Sequence, residues 1–237
     1  TAYLKAHFAV EFIASLLTSE MHSTVGVVKY IAECRGHGIE VLPPDINSSD
    51  TAFTVSGSKI RFGLAAVKNV GEGAIEAVVA ARQEDPFTSL FDFCERIDLK
   101  KVNKRVIESL IKCGAFDSTG AKRSQLMAVM EDAMVYGQRV QREKADPQMG
   151  LFDMGDEDQR TINYPHMPDL TEWDEKTRLN FEKEALGFYI SGHPLERHKD
   201  TLEKFTDGNV LTLAEKKDGE AVRLGGIVRE SKVIRTK

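Results

Sequence analysis

The chain has 237 residues, 41% apolar and 29% charged, with a formal net charge of −5, which reads as a soluble globular protein of one to three domains. No run of about 18 apolar residues offers a membrane span, no signal peptide opens the chain, and the negative balance argues against a simple basic DNA-binding domain. Cys34, Cys94 and Cys113 match no metal or redox spacing and are expected as reduced thiols in a cytoplasmic protein, and the six scattered histidines predict no metal site.

The opening stretch, TAYLKAHFAVEFIASLLTSE, places Leu4, Phe8, Phe12 and Leu16 at helical spacing over residues 1–19. A second helix is expected from Thr24 to Arg35, capped by Ser23 or Thr24 and ended by Gly36 or Gly38. The two prolines of GIEVLPPDINSSD make the next stretch extended. AFTVSGSKIRFG alternates Phe53 and Val55, then Ile60 and Phe62, around Ser-Gly-Ser, as a β-hairpin does. Helical pattern then covers 73–83, 88–96, 100–112 and 121–143. An acidic, Pro- and Gly-containing linker spans 145–171. EWDEKTRLNFEKEALGFYIS is a further amphipathic helix, with Leu179, Ala185, Leu186 and Tyr189 as inward candidates. ALGFYISGHPL reads as a helix stop and chain reversal, and GEAVRLGGIVRESKVIRTK alternates as a strand would. No short internal repeat is evident. The start inside a helical pattern and the end in strand-like sequence read as a piece of a larger protein.

Charge is unevenly spread. Residues 100–123 hold seven Lys or Arg and two Asp or Glu, and residues 151–184 hold four and ten. VKNVGEGAIEAVVAARQ, residues 67–83, is laid out as a helix-hairpin-helix: an apolar residue, a tight turn with Asn69 and Gly71, then an Ala-rich helix. Such a turn needs residues that tolerate positive φ. The new helix adds free N–H groups and its positive dipole end, a phosphate site that reads no base. The candidate DNA-contacting residues are Lys68, Asn69, Val70, Gly71 and Gly73, with Lys100, Lys101, Lys104 and Arg105 as a second element. Glu72 stands against the reading, since it is negative where a phosphate would sit. In the bland alternative the glycines only punctuate packed helices and the basic run is a solvated face.

Leu151 and Phe152 form an apolar pair within DPQMGLFDMGDEDQ, a stretch that can neither form a helix nor bury a core. An extended Gln148-Met149-Gly150-Leu151-Phe152 suits a shallow apolar pocket on a partner. The competing role is a staple of the linker onto its own domain.

In this order, TAYLKAHFAVEFIASLLTSE, LPPDIN, FGLAAVKNVGEGAIEAVVAAR, SLFDFCERID, KKVNKRVIESLIKCGAFD and EALGFYISGHPL resemble the alpha subunits of bacterial DNA polymerase III, the C-family replicative polymerases, across essentially the whole chain. The resemblance implies a mainly α fold. Residues 1–56 would be the end of a helical fingers domain. Residues 57–200 would be a clamp-binding domain with tandem helix-hairpin-helix elements and a small β-hairpin, and residues 201–237 the start of an OB domain with its first strand. It implies a DNA-directed DNA polymerase as the parent, cytoplasmic, whose catalytic carboxylates and divalent metal (Mg) belong to a palm domain. No catalytic residue, metal or other cofactor is therefore expected in this chain. The implied partners are duplex DNA, held through its backbone without sequence preference, the sliding clamp (beta subunit) at Gln148–Phe152, and other replicase subunits, with no membrane. The family often has Pro where this chain has Ala9 after Phe8, and usually Gly where it has Asn69, the next most tolerant residue for positive φ. A stand-alone repair or recombination scaffold with helix-hairpin-helix elements and the same clamp peptide, or a purely structural helical domain, remain the alternatives at this point.

Overall fold

The computed structural model describes residues 2–145, 164, 166–192, 194–208, 216–228, 231 and 233. The first helical stretch breaks at Phe8, whose backbone leaves the helical region at φ −137°, ψ 51°, giving α1 (Ala2–His7) and α2 (Ala9–Ser19). The break needs no proline. The buried face is Ile13, Ala14 and Leu17. Phe12 and Leu16 are half-buried, and Leu4 and Phe8 are exposed. The expected face fails for a geometric reason: a strict four-residue spacing advances about 40° per step round a helix of 3.6 residues per turn, and so drifts off any one side.

Ser23 caps α3 (Thr24–Gly36) as its position predicts, its hydroxyl accepting from Gly26 N–H at 3.2 Å. The expected hairpin forms from β2 (Thr54–Ser56) and β3 (Lys59–Arg61), paired at Val55 and Ile60. A third strand, β1 (Val41–Leu42), joins β3 in parallel, so the sheet order is β1-β3-β2. Pro43 and Pro44 stop β1 after two residues. The chain then turns on Asp45, whose carboxylate accepts from the N–H groups of Asn47 and Ser48. Asn47 pairs with both backbone groups of Phe87, at 2.9 and 2.7 Å. The Arg82 guanidinium bonds the carbonyls of Ile46 and Ser49. LPPDIN is thus a turn locked to the helical body.

The helical segments follow in the expected order: α4 (Glu72–Ala81), α5 (Leu90–Arg96), α6 (Lys104–Lys112), α7 (Arg123–Ala145) and α8 (Glu175–Leu186). Leu179, Ala185 and Leu186 are buried as expected, and Tyr189 is half-buried. α6 starts at Lys104 rather than 100 because Asn103 caps it, accepting from Val106 N–H at 3.2 Å. α5 and α7 pack closely. A Cβ at Gly137 would lie 2.3 Å from the Cys94 carbonyl oxygen, so only glycine permits this approach. One turn on, Gln141 Nε2 lies within hydrogen-bond distance of the carbonyls of Cys94, Glu95 and Ile97, satisfying the last turn of α5.

The chain divides into two compact units, residues 1–191 and 192–237. In the first, one apolar core runs from Ile13 to Leu186 through Phe62, Phe91, Phe93 and Phe116. The expected boundary after residue 56 falls inside the β2–β3 hairpin. All three cysteines are buried and unpaired, and burial pushes their thiols up, to about 11 for Cys34 and about 12 for Cys94 and Cys113. The second unit holds a 3-10 turn (Glu196–His198), α9 (Lys199–Phe205) and a pairing of Asp207 with Arg223, where each backbone N–H donates to the other residue. Described residues 216–228 contain no strand. A strand needs a partner to be stable, and a single doubly bonded pair makes no ladder.

α7 starts without a Ser, Thr, Asp or Asn cap. Glu172 supplies it from 49 residues along the chain, accepting from Arg123 N–H at 2.8 Å and Ser124 N–H at 3.2 Å. Burial raises the Glu172 pKa, but the N–H groups of Trp173, Arg123 and Ser124 outweigh it and hold the carboxyl below its ordinary 4.5. A depressed folded pKa adds stability above the unfolded value that is lost as pH falls through the folded one. Glu172→Gln is therefore expected to lower the melting temperature at neutral pH, with the gap to the parent closing below about pH 4.5. Parallel melting curves across that range would count against the cap.

Candidate nucleic-acid interface

The hairpin at 67–73 is built from apolar anchors and polar fasteners. Val67 and Val70 are buried, while Lys68, Asn69, Gly71, Glu72 and Gly73 are exposed. Asn69 takes φ 67°, the one positive φ at a non-glycine position among the described residues. Its side chain holds the turn there, donating to Ser109 Oγ on α6 at 3.0 Å. Lys68 N–H donates to Ala185 O at the end of α8 at 2.9 Å. The turn is thus fastened from two helices and its outer rim is left open.

Gly71 caps α4 with no side chain over the helix end, and a Cβ built at Gly71 or Gly73 meets nothing within 4 Å. Ala74 N–H turns back to Gly71 O at 3.0 Å, which leaves the N–H groups of the exposed Glu72 and Gly73 without an intrahelical acceptor, with the positive end of the helix dipole behind them. Val70 is only 8% exposed, and its N–H already donates to Val67 O within the turn at 3.3 Å. Glu72 is exposed at the first position of α4, where its charge opposes an incoming phosphate.

The second element repeats the first. Residues 67–78, VKNVGEGAIEAV, align with 99–110, LKKVNKRVIESL, at an offset of 99 − 67 = 32. Val70 and Val102, Ala74 and Val106, Ile75 and Ile107, and Val78 and Leu110 occupy matching buried positions. Gly71 and Asn103 occupy matching caps. Only four of the twelve positions are identical, so the repeat emerges from burial rather than from letters. The turns differ in detail. In the second, Asp98 accepts from Lys100 N–H through its carboxylate at 2.9 Å and from Lys101 N–H through its carbonyl at 3.0 Å.

The two copies also differ in what they expose. The first presents backbone donors and Lys68. In the second, Asn103 already satisfies one N–H, and cationic side chains surround the helix start. Lys100, Lys101 and Arg105 are exposed and have no carboxylate within ion-pair distance among the described residues. Lys104 is different, being paired with Glu131 of α7. The structure thus describes all nine predicted phosphate-contacting residues, in two copies of one local fold. Residues 148–152 lie outside the described residues.

Sequence reading missed what ties this region to its surroundings. Arg123, 5% exposed, bonds both carboxylate oxygens of Asp117 at 2.9 and 2.7 Å and Glu182 Oε1 at 3.1 Å. Glu182, fully buried on α8, accepts from Ile190 and Ser191 N–H at 3.3 and 3.2 Å. Burial lowers the Arg123 pKa, but the two carboxylates outweigh it and hold the guanidinium firmly charged. Gly114, at φ 82°, makes room: a Cβ there would lie 2.1 Å from the guanidinium. The only local sign is an Arg at the start of a helix, where the dipole disfavours cations.

A helix-hairpin-helix motif profile matches residues 38–126. Similarity to named proteins runs further. The chain is 40% identical over 241 residues to DNA polymerase III subunit alpha of Vibrio cholerae, covering 100% of this chain and 20% of that protein. It is 44% identical over 204 residues to the Thermus aquaticus subunit of the same name, covering 86% of this chain and 16% of that one. The Escherichia coli K12 subunit is 36% identical, covering 100% and 21%. The chain spans about a fifth of the length of the curated relatives it matches.

Proposed function

Because the chain belongs to the DNA polymerase III alpha-subunit family, we propose that it serves such a polymerase as the segment that grips duplex DNA by its phosphates and tethers the enzyme to a ring-shaped sliding clamp. The observation that carries the first half is the repeated hairpin. Two copies of one fold, 32 residues apart, each end in a helix start bordered by exposed Lys or Arg. Contacts of this kind are to phosphate oxygens and carry no base information. Similarity along the whole chain, beyond the hairpin region, favours a polymerase over a stand-alone repair scaffold.

The second half rests on Gln148–Phe152. This stretch joins one hydrogen-bonding side chain to two adjacent apolar anchors between polar flanks, the form of a short peptide that docks in a shallow apolar pocket. Nucleotidyl transfer belongs to the parent polymerase. The part proposed for this chain is binding rather than catalysis. Mg would be held in the palm, and the work is cytoplasmic, alongside the other replicase subunits. No described helix is long and apolar enough to cross a membrane.

Charge reversal tests the DNA half. Lys101→Glu with Arg105→Glu is expected to weaken binding to every duplex alike. It should also reduce the slope of log K against log salt by about 0.9 for each phosphate that is no longer neutralised. Unchanged affinity, or weakening confined to one sequence, would overturn the assignment.

A further inference from the structure

α6 begins with a cation where helix electrostatics disfavours one. Lys104 is its first residue, directly after the Asn103 cap, and the N-terminal dipole end repels positive charge. Glu131 offsets this. It lies on α7, two turns in from the start of that helix, and its carboxylate is paired with the Lys104 ammonium. The pairing pulls the Glu131 pKa down and the Lys104 pKa up, through the hydrogen bond first and charge attraction second. Both side chains are more than half exposed, so neither needs this partner for burial. An anion is therefore already delivered to the place where the second hairpin would take a phosphate. The first hairpin has its counterpart in Glu72, which aligns with Lys104 at the 32-residue offset and puts a carboxylate at the start of α4 directly.

We infer that Glu131 is an internal competitor for duplex phosphate: it occupies Lys104 in the free chain, is displaced when DNA binds, and thereby sets the affinity of the second hairpin. The inference rests on the proposed DNA-binding function and adds a restraint to it. Exchange of Glu131 for a phosphate leaves the freed carboxylate to take up a cation, which cancels one counterion released from the DNA. Removing the carboxylate should tighten binding and steepen its salt dependence together.

Binding of a labelled short duplex is measured by anisotropy across a salt series for the parent, Glu131→Gln, Lys104→Gln and the double variant, with Asp132→Asn as a control. Asp132 is exposed, adjacent on α7, and has no ion pair among the described residues. Glu131→Gln is expected to bind about two- to fivefold tighter, the range of an exposed ion pair, with a log–log slope steeper by up to about 0.9. The gain should vanish in the Lys104→Gln background, as coupling through that lysine requires. A Glu131→Gln variant that binds as the parent does, a gain that survives Lys104→Gln, or an equal gain from Asp132→Asn would each overturn the inference. If the parent shows no salt-dependent duplex binding, the DNA-binding function falls and the inference with it. That outcome is distinct from a parent sensitive to Lys101→Glu with Arg105→Glu in which Glu131→Gln changes nothing.

Discussion

Leu151→Ala with Phe152→Ala is expected to remove essentially all affinity for the sliding clamp while leaving the melting temperature of the chain unchanged. An apolar side chain taken fully out of water contributes roughly 1.5 to 3 kcal/mol. Two of them amount to about two to four decades of affinity. A contact made by five residues starts near micromolar, so a loss of that size leaves little. Gln148 should matter less, at about 1 kcal/mol for each hydrogen bond. The rival role, fastening the linker to its own domain, is already filled by described residues after it. Tyr164 stacks on Phe91, ring centres 5.6 Å apart, and meets Tyr136 edge-on at 5.7 Å. The carbonyls of Pro168, Leu170 and Thr171 accept from the side chains of Gln125, Lys122 and Ser124. Calorimetric melting beside clamp titration separates the two roles. A double variant that melts lower yet holds the clamp with parental affinity would refute the assignment.

Arg123→Met is expected to lower the melting temperature by about 6 to 20 °C. Removing one member of a buried ion pair costs about 3–5 kcal/mol, because the other charge stays buried without compensation. Each kcal/mol is worth about 2–4 °C for a unit of this size. The stranded group is Glu182, at 0% exposure, left among the described residues with the N–H groups of Ile190 and Ser191. Asp117 loses its partner at the same time, though it is half exposed and can turn to water. Adding Glu182→Gln should restore part of the loss, since the amide oxygen still accepts from those N–H groups and no charge is stranded. A single variant that melts within about 2 °C of the parent would show that the clasp contributes little.

The hairpin at 67–73 was legible because its cause is local. Asn69 tolerates positive φ, Val67 and Val70 anchor the turn, and a helix former follows. The cap at Ser23 and the β2–β3 hairpin are legible for the same reason, since each is settled within about four residues, whereas the helical pattern from 100 passes over the Asn103 cap, and α6 starts at 104. The repeat at 99–110 is implied only by the family resemblance and not by the letters themselves, most of which differ. Burial reveals which positions must agree, and burial is a property of the packed chain. The same holds for the face of α2, which a strict four-residue spacing misplaces.

Much of what holds the candidate site in place comes from groups far apart in sequence. Glu172 caps α7 across 49 residues, and Arg123 reaches Glu182 across 59. Gln141 closes α5 from 44 or more residues away, Ser109 pins Asn69 across 40, and Glu131 reaches Lys104 across 27. Each of these is an ordinary Glu, Arg, Gln or Ser, Glu172 in the stretch before α8 and the others on helices, and apart from the cation at the start of α7 little local distinguishes them from solvated neighbours. By itself the sequence determined the order of the helices, where the chain turns and which local shapes could offer N–H groups to a phosphate. The tertiary structure decided which of those ends stay open, which lysine is already paired and which carboxylate is buried, because those outcomes depend on what distant segments bring within about 3 Å, the reach of a hydrogen bond.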